Sequence, residues 1–77
     1  ESPEVSYPRA AYLRKLEGTV VLIMIVNSEG IVTEVEMIQS SGHRLLDRAA
    51  LVAARGYRFE AGEGSMTVNK SFTFKLH

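Results

Sequence analysis

The chain has 77 residues, of which 45% are hydrophobic and none is cysteine, and its nine basic residues balance nine acidic ones. A single domain of this size has little room for a substrate cleft beside its scaffold, so its composition argues against an enzyme. The zero net charge removes the long-range attraction on which proteins that bind nucleic acids or anionic membranes usually rely.

The first four residues, Glu1-Ser2-Pro3-Glu4, form a polar stretch with a proline, which is typical of a linker. We therefore predict the end of a linker over residues 1–5 and one folded domain over residues 6–77. Because the chain begins with glutamate rather than methionine, we expect it to be a piece of a longer protein, in which a signal peptide or membrane anchor could lie upstream.

A helix and a strand are predicted before the first turn. Pro8 suits the first turn of a helix, and apolar residues at helical spacing predict a short amphipathic helix over residues 8–16, which Gly18 would end. Residues 19–26 are rich in β-branched side chains and are apolar on both faces. This pattern predicts a strand with a neighbour on each side, which makes it the central strand of a sheet.

A hairpin and a second strand follow. The turn Asn27-Ser28-Glu29-Gly30 places glycine where a positive φ is needed, and a strand is predicted over residues 31–39. Alternation puts Ile31, Thr33, Val35 and Met37 on one face and Val32, Glu34, Glu36 and Ile38 on the other, wetter face.

The second half of the chain predicts a helix and a last strand. Residues 44–55 have apolar side chains at the i, i+3, i+4 spacing of a helix with one buried face. Asp47 in its first turn and Arg55 in its last turn both suit the helix dipole. From residue 66 onward apolar and polar residues alternate with a period of two, and only Lys70 interrupts the apolar face.

These elements predict an α+β fold of order α-β-β-α-β. The hairpin makes the first two strands antiparallel, and a right-handed crossover through the second helix makes the second and third strands parallel. The three-stranded sheet, antiparallel or mixed, then has the order 2-1-3, with both helices on one face. The last strand is an edge with no proline and only two lysines, which is little protection against pairing. The sequence leaves open whether a partner strand, a dimer mate, upstream residues or its own side chains cover that edge.

Seven short motifs occur in order along the chain. They are Tyr7-Pro8, Leu16-Glu17-Gly18, Glu29-Gly30, Ser40-Ser41-Gly42, Leu46-Asp47 with Ala49-Ala50, Tyr57-Arg58-Phe59, and the closing strand with Asn69, Phe72 and Phe74. In these motifs the chain resembles the C-terminal domain of TonB-type energy-transducing proteins. It departs from the usual family pattern with Lys15 for a frequent glycine, Glu29 for aspartate, Arg44 and Ala61 for proline, and Tyr57 for tryptophan.

The resemblance implies a periplasmic domain tied by a proline-rich linker to an inner-membrane helix in a Gram-negative bacterium. Such domains bind the TonB box, a short segment of outer-membrane TonB-dependent receptors, by adding it as a strand beside their closing strand. The inner-membrane proteins ExbB and ExbD couple the proton motive force to a pull that opens the receptor for siderophores, haem, cobalamin or similar nutrients. We expect no cofactor and no metal, and a weak homodimer through the free edge is a further expectation.

Carried over residue by residue, the resemblance assigns the strand addition to Ser65, Met66, Thr67, Val68, Asn69, Lys70, Ser71, Phe72, Thr73 and Phe74. Among these, Thr67, Val68, Asn69 and Ser71 are the best candidates for backbone pairing. Arg48, Arg55 and Arg58 are candidates for secondary contacts with a receptor.

Three other functions compete with this one. Phe72-Thr73-Phe74 is similar to the aromatic residues displayed on RNA-binding sheets. The basic, glycine-containing segment that precedes the aromatic residues in such sheets is missing, however. A small phosphate-cleaving enzyme would need a cradle of arginine and asparagine, where residues 61–65 offer Glu63 instead. A TonB-like domain of a sensor or peptidase, with a different ligand, is the nearest alternative.

Side chains that often carry chemistry are expected to be structural in this chain. His43 is expected to be a helix cap or a surface residue, and no set of residues has the spacing of a zinc site. Ser40 and Ser41 lack a nearby pair of histidine and carboxylate that could activate a nucleophile. Asp47 is expected to stabilise the start of a helix.

Overall fold

The computed structural model describes residues 6–76, so the predicted linker over residues 1–5 and the last residue, His77, lie outside the described range. The elements are α1 Arg9–Leu13, β1 Gly18–Val26, β2 Val32–Gln39, α2 Arg44–Arg55 and β3 Met66–Phe74. The strands form one sheet of order β2-β1-β3, in which β1 is antiparallel to both neighbours. The predicted fold class and strand order are therefore confirmed. No helix within residues 6–76 is long and apolar enough to cross a membrane.

The core lies between the sheet and the helices. From Val20 onward, every second residue of β1 is almost fully buried on the helix side, while the intervening residues of the opposite face are half-buried. The remaining buried residues of the hydrophobic core come from both helices, the segment after α2, and β3; they are Ala11, Leu46, Ala50, Ala53, Ala54, Tyr57, Phe72 and Phe74. The alanines of α2 allow this helix to lie close to β1 and β2, against which it packs.

The first helix ends earlier than predicted, and Gly18 does not end it. Lys15 instead adopts the left-handed conformation, with a φ of 56°. Its N–H donates to the carbonyl oxygen of Tyr12 at 3.1 Å, and the N–H of Leu16 donates to that of Ala11 at 2.9 Å. This pair of hydrogen bonds is the Schellman motif, in which glycine usually occupies the left-handed position.

Gly18 is needed for a different reason, which is the close approach of another segment. It begins β1, and a Cβ atom added to it would lie 2.8 Å from both the Cβ and the carbonyl oxygen of Ser41. Glycine therefore lets the segment after β2 cross the start of the central strand.

The hairpin between β1 and β2 has the predicted turn. Gly30 has a φ of 84°, and the side-chain oxygen of Asn27 accepts hydrogen bonds from the N–H groups of Glu29 and Ile31. A Cβ atom on Gly30 would lie 1.9 Å from the carbonyl oxygen of Phe59, whose own N–H donates to the carbonyl oxygen of Gly30. The turn therefore also holds the segment that follows α2.

The side-chain alternation predicted for the second strand is wrong at its start. Ile25 pairs with Glu34 whereas Val26 pairs with Val32, so Thr33 is an extra residue in a β-bulge. The bulge turns Val32 toward the core and leaves Ile31 exposed, the reverse of the predicted faces.

A second irregularity lies at the other end of β2. Val21 pairs with Gln39 while Leu22 pairs with Met37, which leaves Ile38 as an extra residue that is 55% exposed. Both ends of β2 are therefore irregular.

Asp47 organises the loop that leads into α2. Its carboxylate accepts hydrogen bonds from the hydroxyl of Ser40 and from the backbone N–H and hydroxyl of Ser41. Burial pushes the pKa of the Asp47 carboxyl upward, but these hydrogen bonds stabilise the charged form, and the pKa lies below its usual value. Asp47 therefore has a structural role, as expected: its carboxylate holds the loop that precedes α2 in place.

We expect Lys15→Gly to stabilise the fold, because glycine adopts a positive φ without the steric cost that other residues carry. The gain should be about 0.5–1 kcal/mol in the free energy of unfolding, measured by urea denaturation. Lys15→Ala is the matched control, since it removes the side chain and keeps the steric cost. An equal gain in both variants would show that the left-handed conformation is not the cause.

We expect Asp47→Asn to destabilise the fold by roughly 1–2 kcal/mol at pH 7, because the amide cannot accept all the hydrogen bonds of the carboxylate. A carboxyl whose folded pKa is depressed stabilises the fold above its unfolded pKa, and this stabilisation is lost as the pH falls through the folded pKa. The difference between wild type and variant should therefore shrink below pH 3.8, the carboxyl's ordinary pKa. The exposed Glu36, changed to glutamine, is the control, and an equal loss there would contradict a special role for Asp47.

Candidate functional site

The outer edge of β3 is the most regular free edge of the sheet. All nine residues of β3 pair with β1, from Met66 opposite Val26 to Phe74 opposite Gly18, with no bulge. Within residues 6–76 no strand pairs with its other side, since β3 ends the sheet order. The edge of β2, by contrast, carries the two irregularities at Thr33 and Ile38.

The register of the sheet shows which backbone groups of β3 point outward. Asn27, next to the end of β1, donates its N–H to the carbonyl oxygen of Ile31 on the β2 side. Successive residues of a strand direct their backbone groups to alternate sides, so the even-numbered residues of β1 face β3. Their partners are the even-numbered residues of β3, which leaves the N–H and C=O groups of Thr67, Asn69, Ser71 and Thr73 directed outward.

Of the four residues that the family resemblance favours for backbone pairing, three direct their backbone groups outward and one does not. Thr67, Asn69 and Ser71 direct their backbone groups outward, where a new strand would lie. Val68 directs its groups toward β1, because it pairs with Met24. Its contribution at the edge is therefore confined to its half-buried side chain.

The two faces of β3 differ in burial. On the helix side Phe72 and Phe74 are 3% and 2% exposed, whereas Met66 and Lys70 are exposed because α2 packs over β1 and β2. On the opposite face the side chains are polar and exposed: Thr67, Asn69, Ser71 and Thr73. Phe72 and Phe74 therefore belong to the core and do not offer their rings to the bases of an RNA.

Aromatic contacts support the buried half of β3. The ring of Tyr57 packs edge-on against Phe72 at 6.0 Å, so the tyrosine that replaces the family's tryptophan still lies in the core. The ring of Tyr7 packs edge-on against Phe74 at 5.4 Å, and its hydroxyl donates to the carbonyl oxygen of Leu16. Partial burial raises the pKa of the Tyr7 hydroxyl, and the nearby carboxylate of Glu17 raises it further. The hydroxyl therefore stays protonated and can donate this hydrogen bond.

Sequence reasoning did not identify this support of the edge by Tyr7. The ring reaches β3 from the segment before α1, a separation in sequence that no local periodicity reveals. The Tyr7-Pro8 motif was the only available signal. Glu17 also accepts the N–H of Leu76 at 2.7 Å, which holds the chain beyond the end of β3.

The three arginines predicted as secondary contacts do not gather at this edge. Arg48 lines a groove of about 460 Å³ between α2 and Pro8, and Arg55 lies beside β2. Arg58 pairs with Ile31 near the hairpin. All three are exposed, but they lie on other parts of the surface than the outward groups of β3.

The histidine and serines that were considered for chemistry make contacts that stabilise the fold. The carbonyl oxygen of His43 accepts hydrogen bonds from the N–H groups of Leu46 and Asp47 in the first turn of α2, and its imidazole makes no capping hydrogen bond. The hydroxyls of Ser40 and Ser41 are engaged with Asp47. In the described part of the chain, no group of three or more histidine, aspartate or glutamate residues could hold a metal ion.

Comparison with known proteins gives a consistent result for sequence and for fold. Residues 3–76 match the family model described as the Gram-negative bacterial TonB protein C-terminal. Protein TonB of Xanthomonas campestris pv. campestris is 47% identical over 55 residues, which are 71% of this chain and 25% of that protein. Protein TonB of Neisseria meningitidis is 39% identical over 59 residues, 77% of this chain and 21% of that protein.

Two solved structures have the same fold. The solution structure of the Pseudomonas aeruginosa TonB CTD has a TM-score of 0.83 and 28% identity, with 99% of this chain and 82% of that one covered. The Helicobacter pylori TonB-CTD has a TM-score of 0.78 and 26% identity, with 95% of this chain and 70% of that one covered. The chain spans about a quarter of the length of the curated relatives it matches. By its sequence and by its fold, it belongs to the family of Gram-negative bacterial TonB protein C-terminal domains.

Proposed function

We propose that this domain binds the TonB box of an outer-membrane receptor as a fourth strand beside β3 and transmits a pull to that receptor. The observation that carries this proposal is the regular outer edge of β3, nine residues long and unpaired within residues 6–76. Four residues of this edge offer outward N–H and C=O groups, which are the groups that an added strand requires. The domain would lie in the periplasm, tied to the inner membrane by upstream parts of the full-length protein.

The two edges of the sheet differ in how readily they accept a strand. Bulges twist an edge and interrupt its row of hydrogen-bonding groups, and β2 has irregularities at Thr33 and Ile38. Outward-facing Glu34 and Glu36 add negative charge to β2. The pairing of β3 with β1 has neither feature, which supports β3 as the docking edge.

The expected affinity is modest. Added strand pairing of about five hydrogen bonds, at roughly 0.5–1.5 kcal/mol each, gives a few kcal/mol before the costs of ordering the peptide. A dissociation constant on the order of micromolar follows. A pull along the strand axis would load these hydrogen bonds together in shear, so a reversible complex could still transmit force.

The proposal includes further partners. ExbB and ExbD would act through parts of the full-length protein outside this chain, and would supply the energy of the proton motive force. Arg48, Arg55 and Arg58 remain candidates for contacts with a receptor's periplasmic surface. Siderophores, haem and cobalamin are the nutrients that we expect such a receptor to import.

We expect a TonB-box peptide to shift the amide NMR signals of residues 65–74 more than those of β2. The 77-residue chain is suitable for this titration because its core lies within residues 6–76, and the corresponding domain of Pseudomonas aeruginosa has been solved in solution. Signals that move only elsewhere, for example along α2, would show that the peptide binds another surface.

We expect Asn69→Pro to weaken peptide binding at least about tenfold, because proline removes an outward N–H and its ring obstructs an added strand. Asn69→Ala is the matched control, since it keeps the N–H, and its affinity should stay close to that of the wild type. Both variants should unfold at similar urea concentrations, because this N–H does not pair with β1. Wild-type affinity in the folded Asn69→Pro variant would rule out strand addition at this position.

A further inference from the structure

We infer that Lys70 selects the charge of the segment that adds beside β3, favouring an extended segment with a carboxylate side chain opposite it. This inference rests on the proposed strand addition. It concerns which partner the edge accepts, whereas the backbone groups described above carry no preference among sequences.

Lys70 lies in the middle of β3 and is its only charged side chain. It pairs with Leu22 of β1 on the helix side of the sheet, yet it is exposed, because α2 packs over β1 and β2. Within residues 6–76 its ammonium group makes no hydrogen bond or ion pair. It is therefore available to a side chain that arrives beside β3.

The alternation of the backbone places Lys70 where cross-strand side chains come closest. Its N–H and C=O groups face β1, so toward an added antiparallel strand it occupies a non-hydrogen-bonded position. At such positions the two Cα atoms lie only about 4.5 Å apart, and side chains on the same face touch. A carboxylate opposite Lys70 would reach the ammonium group, while a lysine there would be repelled.

The side chains next to Lys70 carry no charge that could change its preference for a carboxylate. Its neighbours on the same face are Val68, which is half-buried, and Phe72, which is 3% exposed. The two glutamates of β2, Glu34 and Glu36, lie on the opposite face and toward the opposite edge. An acidic segment is thus attracted at β3 and repelled at β2, so charge and edge regularity favour the same docking edge.

The same lysine disfavours a second copy of the chain. Two β3 strands paired antiparallel about Lys70 would place one ammonium group directly opposite the other, which is destabilising. Edge strands commonly use lysine in this way to prevent self-association. A single charge would then both weaken the expected homodimer and favour a partner of opposite charge.

The test uses three synthetic peptides, acetylated and amidated, of sequence Thr-Val-Thr-X-Thr-Val-Thr, with Glu, Gln or Lys at the central position X. The sequence is the same in both directions, so a peptide that is centred on Lys70 presents the central side chain to it in a parallel or an antiparallel complex. Dissociation constants are measured by NMR titration of wild type, Lys70→Glu and Lys70→Gln. Lys75→Glu is the control, because Lys75 is exposed but lies beyond the end of β3.

We expect wild type to bind the Glu peptide roughly three- to tenfold more tightly than the Lys peptide at low salt, because one exposed charge pair contributes up to about fivefold and the Lys peptide replaces that attraction with a repulsion. Lys70→Glu should reverse this order, Lys70→Gln should abolish it, and Lys75→Glu should leave it unchanged. The preference should fade as sodium chloride is raised, because salt screens exposed charges.

One result would overturn the inference of charge selection, and a second would overturn its consequence for self-association. If the peptides shift the amide signals of residues 65–74 but the order is the same in Lys70→Glu as in wild type, Lys70 does not select charge, and the proposed strand addition stands. If Lys70→Gln shows no more self-association than wild type by sedimentation at millimolar concentration, the lysine does not oppose pairing of two copies. Failure of strand addition itself would appear differently, as no shift in residues 65–74 with any peptide, the TonB-box peptide included.

Discussion

The rest of the structure depends on the pairing of β1 with a strand on each side. Its alternate residues on the helix side, Val20, Leu22, Met24 and Val26, are almost fully buried, and its other face is half-buried. Such a strand cannot lie at an edge without exposing apolar surface and unpaired backbone groups. Because the sheet formed within residues 6–76 has three strands, this requirement makes β3 an edge. The proposed docking surface is thus a consequence of how the core is built.

A domain without disulfides must hold that edge in place with small local contacts. Asp47 gathers the loop before α2, and Gly18 lets that loop cross the start of β1. At the same end of the sheet, where Phe74 pairs with Gly18, Tyr7 and Tyr57 pack against the two buried phenylalanines of β3. These contacts order β3 before any partner binds, which lowers the entropic cost of strand addition.

The function that we propose needs neither a deep cavity nor a strong charge. An edge strand offers the same backbone groups to any extended peptide, so selectivity must come from side chains that flank the new strand. On β3 these are polar residues on one face, and Met66, Val68 and Lys70 on the other. A weak and selective contact suits a coupling domain that must find, pull and release its receptor.

The sequence by itself determined the order of the elements, the central position of β1 and the edge position of β3, because period-two and helical patterns are local and follow from burial. Only the tertiary structure decided the bulge at Thr33, the left-handed Lys15 and the crossing of Gly18 by Ser41. Each of these depends on a partner distant in sequence or on the exact length of a turn. The exposure of Lys70 was decided in the same way, since it follows from where α2 lies on the sheet and not from the pattern of β3.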